Sequence, residues 1–337
     1  MKMKAIRNLL ITLLVISAII LAANIIPPKK NIESNPFVVG EGNPPMIAAH
    51  RGGGENNPEN TMLAFREAVN TYEVDIIESD LWLTSDGYLV YNHDGYIDRT
   101  SNVNGDISYD EMKALTKDTE KRHYIEDMTL DQLRQYNFGY YFENESGERI
   151  YKDECDPESM GLQIATAEML FEEFYETNPN LLFIVEIKNG GEQGYRACKK
   201  LAEILEIYPE YKDNIVIGTF HPEIESHLEK EYPALMRGAS TRGAMKFLLT
   251  HFVGLNILDN STFTCLQIPM TYDVGVEINL ELSSIISRAH LRGIAVQYWT
   301  INEQDEMRRL IDLGCDCIMT DNPALLRQVI EQHNAGK

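Results

Sequence analysis

The chain has 337 residues, 44% of them hydrophobic, and its 52 Asp and Glu against 30 Lys and Arg leave a net charge of −22. That is enough for one large core, since an α/β barrel takes ~250 residues as a single domain. Such an acidic surface should repel nucleic acid and anionic headgroups alike, so an anionic substrate would need a local cation or local Arg and Lys.

Lys2, Lys4 and Arg7 precede an apolar run from Leu9 to Ile26 whose polar side chains are Thr12, Ser17 and Asn24. A run of about 18 apolar residues suffices to cross a bilayer as a helix. The basic flank favours a cytoplasmic amino terminus, which puts the remainder outside the cytoplasm. A cleaved signal peptide is the alternative, with Ala22 and Ala23 as small residues near its end. Residues 1–28 are therefore read as an anchor or signal, broken by Pro27 and Pro28, and residues 29–44 as a polar linker rich in Pro, Asn and Gly.

From residue 45 to 333 short β-rich runs alternate with amphipathic helical runs. Strands are expected over Met46–His50, Asp75–Leu83, Tyr88–Asn92, Leu181–Ile187, Ile215–Phe220, Leu235–Gly238, Phe263–Ile268, Ile294–Thr300 and Cys317–Thr320. Helices are expected over Thr61–Tyr72, Thr166–Glu176, Gly194–Ile207, Pro222–Tyr232, Gly243–Phe252, Glu277–Arg292, Glu303–Leu313 and Pro323–His333. This alternation implies a parallel sheet. His50, Glu78, Asp80, Glu186, Lys188, Trp299 and Asp321 all fall at or just past carboxyl ends of different strands. The sheet could be closed or open and doubly wound; a closed barrel gathers such ends at one mouth, whereas in an open sheet strands this far apart would less readily meet, so a TIM-like (β/α)8 barrel is the expected fold.

Residues 95–165 break the alternation and are acidic and tyrosine-rich, with short helices expected at Tyr109–Leu115 and Thr129–Tyr136. An insertion leaving the barrel just after His93 and Asp94 is read as a lid or specificity subdomain. The five cysteines, Cys155, Cys198, Cys265, Cys315 and Cys317, lack metal-type spacing and suggest no disulfide framework. Cys315 and Cys317 are expected on one face of a strand.

Glu78 and Asp80 stand two apart on a strand and point the same way. Two carboxylates so close repel unless a cation intervenes. With Glu186 as a third oxygen donor they suit a hard ion, Ca²⁺ or Mg²⁺; an ion-paired Glu and Asp bridged to Arg51 or Lys188 is the alternative. His50 and His93 each follow a strand beside a charged neighbour and are candidate proton handlers. The remaining histidines read as structural. Arg51 and Lys188 are candidate clamps for phosphate oxygens. Gly52, Gly53 and Gly54 read as a tight turn, Glu59 as a support for His50 or a metal-bound water, and Asn60 as a helix cap.

At these residues the sequence resembles the glycerophosphodiester phosphodiesterase family. The resemblance runs through His50-Arg51-Gly52, Pro58-Glu59-Asn60-Thr61, Glu78-x-Asp80, Thr84-x-Asp86-Gly87 and Val90-Tyr91-Asn92-His93-Asp94. It resumes at Glu186-Ile187-Lys188, Trp299-Thr300-x-Asn302 and Thr320-Asp321-x-Pro323. It implies a TIM-like barrel and hydrolysis of glycerophosphodiesters to sn-glycerol 3-phosphate and an alcohol. It further implies that Glu78, Asp80 and Glu186 bind one divalent cation and that His50 and His93 form the acid–base pair. Arg51 and Lys188 would hold phosphate, and Trp299 would line the glycerol side of the pocket. The Gly-Gly-Gly-Glu segment after Arg51 and the 95–165 insertion depart from the family pattern and leave the alcohol open.

Overall fold

A computed structural model describes residues 2–25, 29–255 and 258–336. Helix α1 spans Lys2–Ile25. Its segment Met3–Ala22 has a mean hydropathy of 2.3 and none of it is buried, so it is long and apolar enough to cross a bilayer, a property shared by anchors and signal sequences. Pro27 and Pro28, expected to break it, lie outside the described residues.

The strands are β1 Met46–Ala49, β2 Ile76–Leu83, β3 Leu89–Tyr91, β4 Leu182–Ile187, β5 Ile215–Gly218, β6 Met236–Arg237, β7 Cys265–Ile268, β8 Thr271–Asp273, β9 Glu277–Asn279, β10 Ala295–Tyr298 and β11 Cys317–Thr320. Among the described residues the main sheet runs β6-β5-β4-β2-β1-β11-β10-β7, every neighbouring pair parallel. A parallel bridge between Gly238 and Cys265 brings β6 back to β7 and closes the ring into a TIM-like barrel. β3 pairs antiparallel with β2 outside this ring.

After α1 the helices are α2 Met62–Asn70, α3 Tyr109–Leu115, α4 Leu130–Leu133, α5 Ala167–Tyr175, α6 Gly191–Ile207, α7 Pro222–Glu231, α8 Thr241–Phe252, α9 Ser283–His290, α10 Gln304–Leu313 and α11 Pro323–Ala335. Local chemistry sets many of their ends. Thr61 and Thr166 cap α2 and α5 by accepting from Ala64 and Met169 N–H groups, and Gly314 ends α10 in the left-handed conformation. Pro222 and Pro323 occupy first turns, where a missing N–H costs nothing.

Two cores follow from the strands' alternation. Outward side chains such as Ile77, Val185, Ile217 and Val296 pack under the helices, while Ala48, Ile76, Ile184, Val216, Cys265 and Cys317 fill the barrel interior. Cys315 joins the outer core and Cys317 the inner one, because the strand begins only at Cys317; the expectation of one shared face is corrected. All five cysteines are free, with Cys155 exposed and the other four buried.

Residues 29–44 are not a loose linker. Asn31 donates to the Phe263 carbonyl at 2.7 Å, and Asn35 donates to the Thr264 and Gly293 carbonyls, each at 2.8 Å. Phe37 is completely buried and joins the inner core, plugging the amino-terminal end of the barrel.

Glu277–Arg292 was expected as one helix; it is β9 followed by the shorter α9. Ile278, Leu280 and Leu282 alternate at period two, which is a strand pattern. The antiparallel β8–β9 hairpin so formed turns at Gly275, whose φ is +89°. Asn60 is not the cap of α2. Thr61 is, and Asn60 sits in the left-handed region at φ +58°.

The insertion has its own small core, with Ile97, Ile125, Leu130, Leu133 and Phe138 packed around Val90 and Ile164. It lies beside the β1 loop, sharing a recess lined by Glu59, Arg99 and Tyr141.

Candidate active site

A cavity of about 400 Å³ opens at the carboxyl ends of the barrel strands. His50, Arg51, Glu78, Asp80, His93, Glu186, Lys188 and Trp299 all line it, so eight of the candidate residues converge. Glu59 and Asp321 stand one layer behind, in contact with Arg51 and His50 respectively. No described residue of the 95–165 insertion lines this cavity; the insertion reaches the site through Arg99.

The barrel geometry explains the convergence. Glu78 and Asp80 lie on alternate positions of β2, and Asp80 is in register with Glu186 on β4. His50 and Arg51 follow β1 in a short 3-10 turn. Arg51 has φ +54°, a left-handed conformation costing about 1–3 kcal/mol in a non-glycine residue. Its surroundings fix it there. The Arg51 N–H donates to Glu78 Oε2 at 2.9 Å, and its carbonyl accepts from Asn60 N–H at 2.8 Å. Gly52 and Gly53 follow at φ +82° and +91°. A Cβ on either would come within 2.9 Å of Ala64 and Phe65 or of Pro323, so this turn requires glycine.

Each histidine is backed by a carboxylate. His50 Nδ1 is 2.6 Å from Asp321 Oδ1, and Asn302 steadies Asp321 by donating to Oδ2 at 2.8 Å. His93 Nδ1 is 3.1 Å from Asp94 Oδ1. A carboxylate on Nδ1 fixes that nitrogen as the donor and leaves Nε2 as the nitrogen for proton exchange. Burial disfavours a charged His50, but Glu78 and Asp321 outweigh it and raise its pKa. Burial also works against ionised Asp94, yet His93 and Arg99 hold its carboxyl far below the usual range.

Arg99 was not foreseen from the sequence. Its Nε donates to Asp94 Oδ2 at 2.5 Å, and its two terminal nitrogens donate to Glu59 at 2.5 and 3.0 Å. Glu59 thus joins Arg99 to Arg51, whose Nη1 is 3.4 Å away. The expected contact of Glu59 with His50 is not made, because Asp321 takes that place. Arg99 carried no signal beyond its charge, since it lies inside the irregular insertion.

The carboxylates divide into two kinds. Asp80 is almost fully buried, but Lys188 and Arg51 overcome that burial and lower its pKa. Lys188 Nζ stands 3.1 Å from both Asp80 Oδ1 and Glu186 Oε2, and Arg51 Nε is 3.6 Å from Asp80 Oδ2. Asn60 donates to the same Asp80 oxygen at 3.1 Å. Glu78 has no ammonium or guanidinium of its own. Burial and then the Asp80 charge push its carboxyl up to about 7. Glu186 is also raised, chiefly by burial, against the pull of Lys188.

Among the described residues no three acidic, histidine or cysteine side chains stand together at metal-ligand spacing. Arg51 and Lys188 bridge the acids as the ion-paired alternative expects. The donor chemistry still fits a hard divalent cation. It is all oxygen, and it includes the buried Glu78 carboxylate, which has no lysine or arginine side chain in ion-pair contact among the described residues and only His50 Nε2 at 3.9 Å.

A closed parallel barrel with cations, carboxylates and two imidazoles at its carboxyl mouth belongs to the class of enzymes that process anionic esters. The model of the glycerophosphoryl diester phosphodiesterase family matches residues 50–325, and the chain belongs to that family. It is 25% identical over 287 residues to a glycerophosphodiester phosphodiesterase of Caldanaerobacter subterraneus subsp. tengcongensis, covering 85% of this chain and 98% of the relative. It is 27% identical to a mouse protein named lysophospholipase D GDPD1, covering 85% of this chain and 86% of the relative. The fold resembles an Oleispira antarctica phosphodiesterase solved with its product sn-glycerol-3-phosphate, at TM-score 0.59 and 19% identity over 86% of this chain and 97% of that one. A glycerophosphoryl diester phosphodiesterase domain from Mycobacterium tuberculosis aligns at TM-score 0.67 and 18% identity, covering 85% and 99% of the two chains. The protein is a phosphodiesterase, and its family and relatives support hydrolysis of glycerophosphodiesters to glycerol 3-phosphate.

Proposed function

We propose that the chain hydrolyses glycerophosphodiesters by two-histidine acid–base catalysis with one divalent cation, Ca²⁺ or Mg²⁺. The observation that carries this reading is the pair of carboxylate-backed histidines sharing one cavity with Arg51 and Lys188. One imidazole takes the proton of the attacking hydroxyl through Nε2. The other protonates the leaving alcohol oxygen as the P–O bond breaks. Arg51 and Lys188 hold the nonbridging phosphate oxygens, and Trp299 lies against the glycerol carbons. Glu78, Asp80 and Glu186 would hold the cation, which when bound neutralises the phosphate and the charge that develops on it. For Asp80 and Glu186 to do so, Lys188 must release them, so substrate phosphate and cation exchange partners with the ammonium.

The test is a panel of glycerophosphodiesters with the full chain, run with EDTA and then with Ca²⁺ or Mg²⁺ restored. Release of glycerol 3-phosphate should vanish with chelator and return with one of the ions. Thermal melts read the cation independently of turnover. Ca²⁺ or Mg²⁺ should raise the melting temperature of the wild type and fail to raise that of Glu78→Gln. Full activity in EDTA would remove the metal from the mechanism.

We read α1 as a membrane anchor with the catalytic domain outside the cytoplasm, supported by the apolar helix and by Lys2, Lys4 and Arg7 before it. Mass spectrometry of the amino terminus separates this from secretion. A mature chain beginning after the apolar run would establish cleavage.

A further inference from the structure

Helix α8 has two apolar faces, and the fold covers one of them. Phe247 is buried, and its ring packs edge-on against that of Phe263, with centroids 6.2 Å apart. On the other face Met245 and Phe252 are half-exposed and Leu249 is 64% exposed. Spacings of four and three residues put these three in one line, which runs about 10 Å along the helix. Val253 and Leu258, just past the helix end, are exposed as well. Helix α1 does not cover this stripe, since none of Met3–Ala22 is buried. A contiguous exposed apolar patch of this kind marks an interaction surface.

Charge and chain path both say what covers it. In a chain of net charge −22, the stretch from Thr241 to Leu258 holds no Asp or Glu, while Arg242 and Lys246 stand exposed beside the stripe. An apolar helix face flanked by basic residues suits the boundary between anionic headgroups and acyl chains. The path of the chain selects the same flank. Helix α8 leads into β7, so its last turn lies at the amino-terminal end of the barrel. There Asn31 donates to the Phe263 carbonyl at 2.7 Å, and its N–H donates to the Arg292 carbonyl at 2.8 Å. Phe263 is also the residue whose ring packs under α8. Residues 26–30 alone join α1 to Asn31, and at about 3.6 Å per residue they reach on the order of 20 Å. A spanning α1 therefore holds this corner of the barrel at the bilayer surface. Of the two helices at that corner, α9 exposes Ser283, Ser284 and Ser287, and α8 exposes its apolar stripe.

We propose that α8 is a second membrane contact, made by the catalytic domain itself. Met245, Leu249, Phe252, Val253 and Leu258 sink into the bilayer interface, and Arg242 and Lys246 meet anionic headgroups. The inference rests on the reading of α1 as an anchor. Thr241 and Met245 also line the catalytic cavity. The docked barrel therefore reclines on its flank, with one rim of the cavity at headgroup level.

The experiment reconstitutes the full chain in vesicles of phosphatidylcholine and phosphatidylglycerol. An environment-sensitive fluorophore is attached at Leu249→Cys and, in a second protein, at Gln328→Cys on α11, which packs on β1, away from β6 and β7 in the ring. Both proteins carry Cys155→Ser, because Cys155 is exposed and the other four cysteines are buried. Leu249 and Gln328 are themselves exposed, so the labels leave the core intact. Spin-labelled lipid should quench the probe on α8 and spare the probe on α11. Arg242→Gln with Lys246→Gln should reduce that quenching. Equal quenching at the two positions, or none at either, overturns the docking. Shielding of the α8 probe that grows with protein density and brings no lipid quenching assigns the stripe to a second copy of the chain, and overturns it too. If mass spectrometry shows that α1 has been removed, the anchor reading fails and the mature chain decides the docking. Its binding to the same vesicles should weaken roughly fivefold for each of Arg242→Gln and Lys246→Gln. A mature chain that does not sediment with the vesicles overturns the proposal.

Discussion

At the amino-terminal end of the barrel, Phe37 is completely buried and the asparagines around it donate to carbonyls of neighbouring strands and loops. Asp316, also buried there, accepts from the Val39 and Val296 N–H groups at 2.8 and 2.7 Å and faces His290 at 2.8 Å. At the carboxyl end the same strands carry buried like charges, two non-glycine residues at positive φ, and a glutamate with its pKa pushed up to about 7. One end satisfies its polar groups and packs apolar surface. The other holds two residues in the left-handed conformation and crowds buried carboxylates around Arg51 and Lys188. The barrel stabilises itself from below and performs chemistry above, which is why the two ends should respond differently to mutation.

The sharpest separation is His93→Ala. Loss of a positioned acid or base should cost about 10²–10⁴-fold in turnover. The unfolding midpoint in urea should not move, since His93 lies at the cavity rim. An active His93→Ala enzyme would remove the histidine from the chemistry. Phe37→Ala is the mirror image. Emptying this site should cost about 3–5 kcal/mol of stability while leaving kcat per folded molecule near wild type. Urea titration beside an activity assay reads both. If Phe37→Ala unfolds no more easily, the plug is not part of the core.

Arg99→Ala tests whether the insertion belongs to the catalytic end. Arg99 touches the backing groups rather than the cavity, so it acts as a positioning residue. Its loss should lower kcat by about 10–100-fold with little change in KM. Because Arg99 and His93 together depress Asp94, the pH profile of kcat should also shift, and Arg99→Lys should restore part of the rate. A change in KM alone would instead assign Arg99 to substrate binding.

The smallest effect belongs to the lower end. The hydrogen bond to Asp316, aided by its charge and opposed by burial, raises the pKa of His290. A raised histidine stabilises the fold fully below its unfolded value of about 6.5, and that contribution fades as pH rises through the folded value. His290→Gln should therefore cost up to about 1 kcal/mol at pH 5.5 and much less at pH 8.5, measured by paired urea melts. Equal losses at both pH values would show that the contact is packing rather than charge.

Much of the active end was legible in the sequence because its signals are local. His50, His93, Glu186 and Lys188 each end or follow a β-rich run, while Glu78 and Asp80 stand within one, where strand alternation decides which way they point. The Asp321 backing of His50 and the Arg99 bridge were not legible, since each joins residues that only closure of the barrel or docking of the insertion brings together. The plug was missed for a related reason. Residues 29–44 have a linker's composition, and their asparagines reveal a role only when the far carbonyls are in place.

By itself the chain's pattern of apolar and polar residues determined the alternating strands and helices, the barrel, the apolar amino-terminal helix and the types of side chain at the mouth. Tertiary structure alone decided which carboxylate backs which histidine, where Lys188 rests, and that side chains of α8 line the same cavity as the charged cluster. The physical reason is range. Periodicity and capping act over a few residues, whereas ion pairs and cavities depend on contacts across the closed ring, such as His50 with Asp321, that no local pattern encodes.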